Sequence, residues 1–348
     1  MTNEQPSDDS DIPLAIPVSL LTGFLGSGKT TLLNKILSSP NMKETAVLIN
    51  EYGDVSIDHL LVEKIDENIV LLEGGCVCCS VRDDLSTAMR DLLVRCAEGT
   101  IPPFRRVIIE TTGLADPAPV IHTLITDPVA AGRYRLDGII TTVDGLVGWD
   151  TLDQFDESLK QVAIADRILI TKTDIADAQY IKKLKTRLGV LNPGAMHITA
   201  QNGHVDISDL FNVGLFDADT NPHPQKWLSM GAVKNAEHPH HHKHGKDSNI
   251  YAFTITSDVP IKWEAFTEWL DMLLTTQGDK ILRMKGVLDI EGQEKPIAVH
   301  GVQHIFHPPQ QLDKWVDGVR ISQMVVISKN LGEDVIEETF DRFVRQQK

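Results

Sequence analysis

Short apolar runs, separated by polar and glycine-containing turns, recur along the first part of the chain. IPVSLLT (16–22), TAVLIN (45–50), NIVLLE (68–73), RVIIE (106–110), DGIITTVD (137–144) and DRILITK (166–172) each have the length of a strand and little polar face. Strands apolar on both sides are covered on both faces, so the pattern predicts an α/β domain, a mostly parallel sheet flanked by helices. TTLLNKIL, after the first run, repeats leucines at helical spacing and supplies part of that cover. This regularity persists to about residue 216, predicting a domain over 14–216 behind a polar, acidic, flexible leader at 1–13. Residues 217–248 are rich in His, Pro, Asn and Lys and read as a linker or loop. Beyond them NIYAFTITSD alternates as a strand and IKWEAFTEWLDMLLTT is spaced as a helix. GVLDIEGQEKPIAVHGVQHIF reads as a hairpin around EGQEK, RISQMVVISKN as a strand and DVIEETFDRFVRQ as an amphipathic helix. Together they predict a small α+β domain over 249–348.

Composition narrows the functional classes. Of 348 residues, 42% are hydrophobic and 24% charged, which leaves enough apolar surface for two cores. The 33 Lys and Arg against 49 Asp and Glu give a net charge of −16. Such acidity argues against a nucleic-acid binder or a protein held on anionic membranes, since both need a basic face. The leader has no basic start and no apolar core, and no stretch of about eighteen apolar residues occurs, so the sequence predicts a cytoplasmic protein without a membrane span.

The candidate chemistry begins at GFLGSGKT (Gly23–Thr30), which fits the phosphate-loop pattern G-x-x-x-x-G-K-[ST] between an apolar strand and a helix. Gly23, Gly26 and Gly28 let backbone N–H groups of Ser27, Lys29, Thr30 and Thr31 turn toward phosphates, and the helix presents its positive end. Lys29 reaches the β- and γ-phosphates, and the Thr30 hydroxyl is a ligand for Mg²⁺. RVIIE ends in Glu110, a carboxylate at the sheet edge near that Mg²⁺, and Gly113 in the following TTG gives a γ-phosphate close access to backbone. TKTD (Thr171–Asp174) follows the strand DRILI, where Asp174 accepts from the two guanine donors and the Lys172 stem packs on the base. Adenine lacks that donor pair, so GTP is expected over ATP. Backbone at Thr199 and Ala200 is a candidate for the far side of the base.

GGCVCCS (74–80) holds three of the four cysteines, Cys76, Cys78 and Cys79. Soft thiolates at this density point to Zn²⁺, with Co²⁺ also accommodated, and redox chemistry or burial is the alternative. Cys96, at apolar spacing in DLLVRCA, reads as core. Five histidines in seven positions (His238, His240, His241, His242, His244) give a weak site of undefined geometry, a buffer for several ions. His300, His304 and His307 surround a predicted strand and read as packing before metal.

GFLGSGKTTLLNKIL, NEYGDVSID, EGGCVCCSVRDDL, ETTGLADPAPV and TKTD together resemble the CobW-type P-loop GTPases, and in particular their YjiA-like branch. KGVLDIEGQEKPIAVHGVQHIFHPP is similar to the C-terminal domain of that family, so the likeness covers residues from about 14 to 330. It implies GTP hydrolysis coupled to delivery of zinc or cobalt to a client metalloprotein, and it assigns the CxCC motif to metal. Glu51 and Asp54, where switch I belongs, are candidates to complete that site; the family usually carries Glu at the position of Asp54. A client docked on the C-terminal domain is the expected partner, and a second copy of the chain is the other one considered. Catalysis is expected from Lys29, Thr30 and Glu110. The sequence offers no readable arginine finger, so slow turnover is expected. A P-loop small-molecule kinase and a nucleotide-switched zinc-sequestering or sensing protein are the alternative functions.

Overall fold

The computed structural model describes residues 15–50, 70–73, 81–200, 205–211, 249–315 and 318–346. The first part runs β1 (Ile16–Gly23), α1 (Lys29–Leu37), β2 (Thr45–Asn50), β3 (Val70–Glu73), α2 (Val81–Ala97), β4 (Arg106–Thr111), α3 (Ala118–Thr126), α4 (Pro128–Arg133), β5 (Tyr134–Asp144), α5 (Gly148–Gln154), α6 (Asp156–Ile164), β6 (Arg167–Thr171), α7 (Ala178–Leu191) and β7 (Met196–Thr199). Its strands form one sheet in the order β3-β2-β4-β1-β5-β6-β7, and every pairing is parallel. Alternate residues of each strand enter different cores. Leu20, Leu48 and Ile109 face α2 and α3 with Met89, Leu92 and Ile121. Leu21, Val47 and Ile108 face α1 with Leu33 and Ile36. This two-sided burial is why the strands read as continuous apolar runs.

The second part comprises β8 (Ile250–Ser257), α8 (Trp263–Gln277), β9 (Ile281–Leu288), β10 (Ile297–Val302), the short β11 (Ile305–Phe306) and β12 (Gln310–Gln311), β13 (Ser322–Lys329) and α9 (Glu333–Phe340), which widens into a π turn over Asp341–Arg345. These strands form an antiparallel sheet in the order β11-β10-β9-β13-β8, with β12 also on β10. The two helices cover one face. Trp269 and Phe340 meet edge to face at 4.9 Å in that core, and the Trp269 indole donates to Thr339 Oγ1 at 3.1 Å.

Several boundaries differ from the sequence reading, each for a local reason. DRILITK ends as a strand at Thr171 because Lys172 turns to a φ of 53°. RISQMVVISKN is a strand only over Ser322–Lys329, and Asn330, at a φ of 56°, ends it. The hairpin strand before EGQEK begins at Ile281 rather than at Gly286, because Arg283 and Lys285, charged in sequence, are buried and paired with Asp166 across the contact between the two parts. Leu282 and Ile327 pack on Ala163 of α6 at the same contact. Burial by itself would raise the Asp166 carboxyl, but the two cations outweigh it and hold the group at about 2. His300 and His307 are buried and stacked, with ring centroids 4.6 Å apart. Burial keeps both imidazoles neutral, with His307 lowered to about 4. Packing is therefore what that pair does. Cys96 lies partly buried against the core of the first part. Among the described residues no helix is long and apolar enough to cross a membrane.

Candidate functional site

The central strand β1 delivers its glycine-rich turn to the carboxyl edge of the sheet, where neighbouring strands leave a crevice. Gly23 has a φ of 141°, and a Cβ there would lie 2.3 Å from Thr142 Oγ1. Gly26 and Gly28 have φ of 72° and 94°, the left-handed region open to glycine without strain. The Ser27 hydroxyl is 2.6 Å from Thr142 Oγ1, tying the loop to β5. Lys29, buried at the first position of α1, folds back to donate to Gly23 O at 2.9 Å and Phe24 O at 3.2 Å. Its ammonium thus sits over the loop.

Leu25, Gly28, Lys29, Thr30, Thr31, Glu110 and Gly113 line a cleft of about 300 Å³ beside this loop. Thr30 Oγ1 donates to Glu110 Oε1 at 3.5 Å, so β4 and α1 bring a hydroxyl and a carboxylate to one point. The pair is a hard-oxygen donor set of the kind Mg²⁺ takes. Gly113 approaches the loop so closely that a Cβ on it would lie 2.6 Å from Leu25 N. Gln161 of α6 donates to Gly113 O and Ala115 O, each at 3.2 Å. Asp116, next along, accepts from Lys160 at 3.2 Å and from Gln303 of the β10–β11 turn at 3.3 Å.

The TKTD strand end joins the same loop. Thr171 Oγ1 donates to Ser27 O at 2.8 Å. The Lys172 ammonium donates to Gly26 O at 2.9 Å and to Asp144 Oδ2 at 2.5 Å. Asp174 is exposed at the rim, and the Thr173 hydroxyl donates to Ala200 O, linking the ends of β6 and β7. The structure therefore brings Gly23, Gly26, Ser27, Gly28, Lys29, Thr30, Thr31, Glu110, Gly113, Thr171 and Lys172 to one crevice. Cys76, Cys78, Cys79, Glu51, Asp54, His238, His240, His241, His242 and His244 lie outside the described residues. Among the described residues no group of three or more His, Cys, Asp or Glu is placed to hold a metal.

Sequence reading missed Asp144 and Gln161. Asp144 ends an apolar run in a carboxylate just as Glu110 does, and that signal marks it. Gln161 lies in an ordinary amphipathic helix, and its two bonds to the TTG segment carry no local sequence signature.

The parallel sheet, the loop at its central strand and the carboxylate-bearing neighbour define a P-loop nucleotide-binding protein with an appended antiparallel domain. The chain belongs to the CobW/HypB/UreG family. The nucleotide-binding domain of that family matches residues 17–199, and the cobalamin synthesis protein CobW C-terminal domain matches residues 250–344. The chain is 37% identical to the zinc chaperone YjiA of Escherichia coli, with 93% of this chain and 98% of that protein covered. It is 34% identical to the zinc-regulated GTPase metalloprotein activator 1 of Schizosaccharomyces pombe, over 61% of this chain and 54% of that one. The crystal structure of Zn(II)-bound YjiA GTPase from E. coli aligns with a TM-score of 0.71 at 32% identity, covering 95% of this chain and 99% of that chain.

Proposed function

We propose that this protein is a slow GTPase that couples GTP binding and hydrolysis to transfer of zinc, or cobalt, to a client metalloprotein. The observation that carries the nucleotide half is the docking of Thr171 and Lys172 onto the carbonyls of Ser27 and Gly26. It sets Asp174, the residue that would select guanine, at a fixed offset from the phosphate loop. The zinc half is supported by the family and by what its relatives are called, together with Cys76, Cys78 and Cys79 in sequence.

Thr30 and Glu110 would hold Mg²⁺, directly or through its water, and the ion when bound would neutralise charge on the phosphates. Lys29 leaves its loop carbonyls for the β- and γ-phosphates, and the loop amides bind the remaining oxygens. Gly113 admits the γ-phosphate to the backbone of the 112–116 segment. The chain is acidic overall, so attraction for GTP comes from these amides and Lys29. Zinc is cargo on the cysteine motif, with Glu51 and Asp54 as further candidate ligands and His238–His244 as a weak reservoir. The proposed division is a GTPase domain at 14–216, a His-rich linker at 217–248 and a client-docking domain at 249–348. Its cysteine usage supports a reducing, cytoplasmic setting.

Phosphate release measured with GTP and with ATP tests the nucleotide assignment. GTP should be turned over and ATP left intact, and Lys29→Ala should abolish turnover. Full activity in that variant, or equal use of ATP, overturns the assignment.

A further inference from the structure

We infer that Gln303 of the second domain is a positioning residue for GTP hydrolysis in the first, an inference that rests on the GTPase reading. The β10–β11 turn that carries Gln303 is built into the first domain. Val302, fully buried, belongs to the core that also holds Val120 and Ile121 of α3 and Ile164 of α6. Gln303 follows at a φ of 53°, a conformation uncommon for a residue with a side chain. Its backbone N–H donates to Leu282 O at 3.2 Å. Its side-chain amide reaches across the domain contact and donates to both carboxylate oxygens of Asp116, at 3.4 and 3.3 Å.

Asp116 also accepts from Ala118 N at 3.0 Å, where α3 starts, and from Lys160 of α6 at 3.2 Å. Three elements hold one carboxylate, and one of the three lies in the other domain. Three residues before Asp116, Gly113 lies against the phosphate loop, where a Cβ would come within 2.6 Å of Leu25 N. Between them the Ala115 N–H donates to Thr112 O at 3.1 Å and closes a turn. The 112–116 segment is thus short and turned on itself, so a displacement at one end is felt at the other.

On the GTPase reading this segment meets the γ-phosphate. Groups held in place before the phosphate arrives need no rearrangement in the transition state. Gln303 supplies part of that hold from outside the GTPase domain. A partner bound to the second domain that shifted the β10–β11 turn would therefore alter hydrolysis through Asp116, and GTP would alter the affinity for that partner in return.

The test uses the full chain and steady-state phosphate release over a range of GTP at fixed Mg²⁺. Gln303→Ala should lower kcat about three- to tenfold, the worth of one ordinary hydrogen bond. KM for GTP should stay within about twofold, because the phosphate loop is untouched. Gln303→Glu sets a second carboxylate against Asp116 and should lower kcat further. Adding Asp116→Asn places an amide donor opposite the new carboxylate and should recover part of that loss. A variant that had only weakened the fold would not be repaired this way, and melting without nucleotide is followed for each. A native chain that turns over no GTP overturns the GTPase reading and this inference with it. With the native chain active, an unchanged or raised kcat in Gln303→Ala, or no recovery in the double variant, overturns the role of Gln303 alone.

Discussion

Lys172 shows how one side chain can serve two motifs. Its positive φ ends β6, and the same turn directs the ammonium to Gly26 O and Asp144. Lys172→Met keeps the stem for packing on a base but loses both charged bonds. A hydrogen bond to a charged group is worth about 1.5–3 kcal/mol, so the GTP dissociation constant should rise about ten- to hundredfold. Isothermal titration with GTP checks this, and an unchanged constant would remove Lys172 from the nucleotide site. At this scale the sequence was most informative where residue type alone dictates a role. Gly23, Gly28 and Lys29 are required by backbone conformation and charge, and the loop pattern identifies them without a fold. Asp144 and Gln161 act through partners distant in the chain; Asp144 is marked only by ending an apolar run, and nothing near Gln161 in the sequence marks it.

Among the elements, α6 holds the 113–116 segment proposed to meet the γ-phosphate. Its Gln161 clamps the carbonyls of Gly113 and Ala115, and its Lys160 holds Asp116, which Gln303 also grips from the other domain. A γ-phosphate that draws Gly113 must therefore move, or be resisted by, a segment anchored on two sides. Gln161→Leu preserves the volume but takes away both amide bonds. GTP turnover should fall about tenfold while GTP affinity changes less, because the phosphate loop itself is untouched. Single-turnover hydrolysis set against binding separates the two, and a loss confined to affinity would assign Gln161 to the loop instead. The strands of both sheets were legible because they are apolar runs. The start of β9 was not, since Arg283 and Lys285 are charges whose burial is explained by partners far away in the chain, Asp166 for both and Ile164 O for Arg283.

For the whole molecule, that buried triad is a polar tie between the two domains among the described residues. The Asp166 carboxyl, at about 2 in the folded chain against an ordinary 3.8, favours folding wherever it is ionised. Its contribution is complete above the ordinary value and is lost as pH falls from about 4 through 2. Thermal melting should be insensitive to this group near neutrality and should drop steeply below pH 4. Asp166→Ala leaves two buried cations facing each other and should cost about 3–5 kcal/mol at pH 7, while flattening the acid limb of the profile. A variant as stable as the native chain would mean that the contact carries no net energy.

The sheet order has a consequence for where the molecule yields first. Among the described residues, β3 is a four-residue outer strand that pairs with β2, whereas β1 is held on both sides. The free energy of local opening rises from such an edge toward the centre. The CxCC sequence begins three residues after Glu73, so the thiols are tethered to one of the two four-residue outer strands among the described residues. On the proposed assignment of those thiols to metal, uptake and release would go by fraying at the margin, with the phosphate loop left at rest.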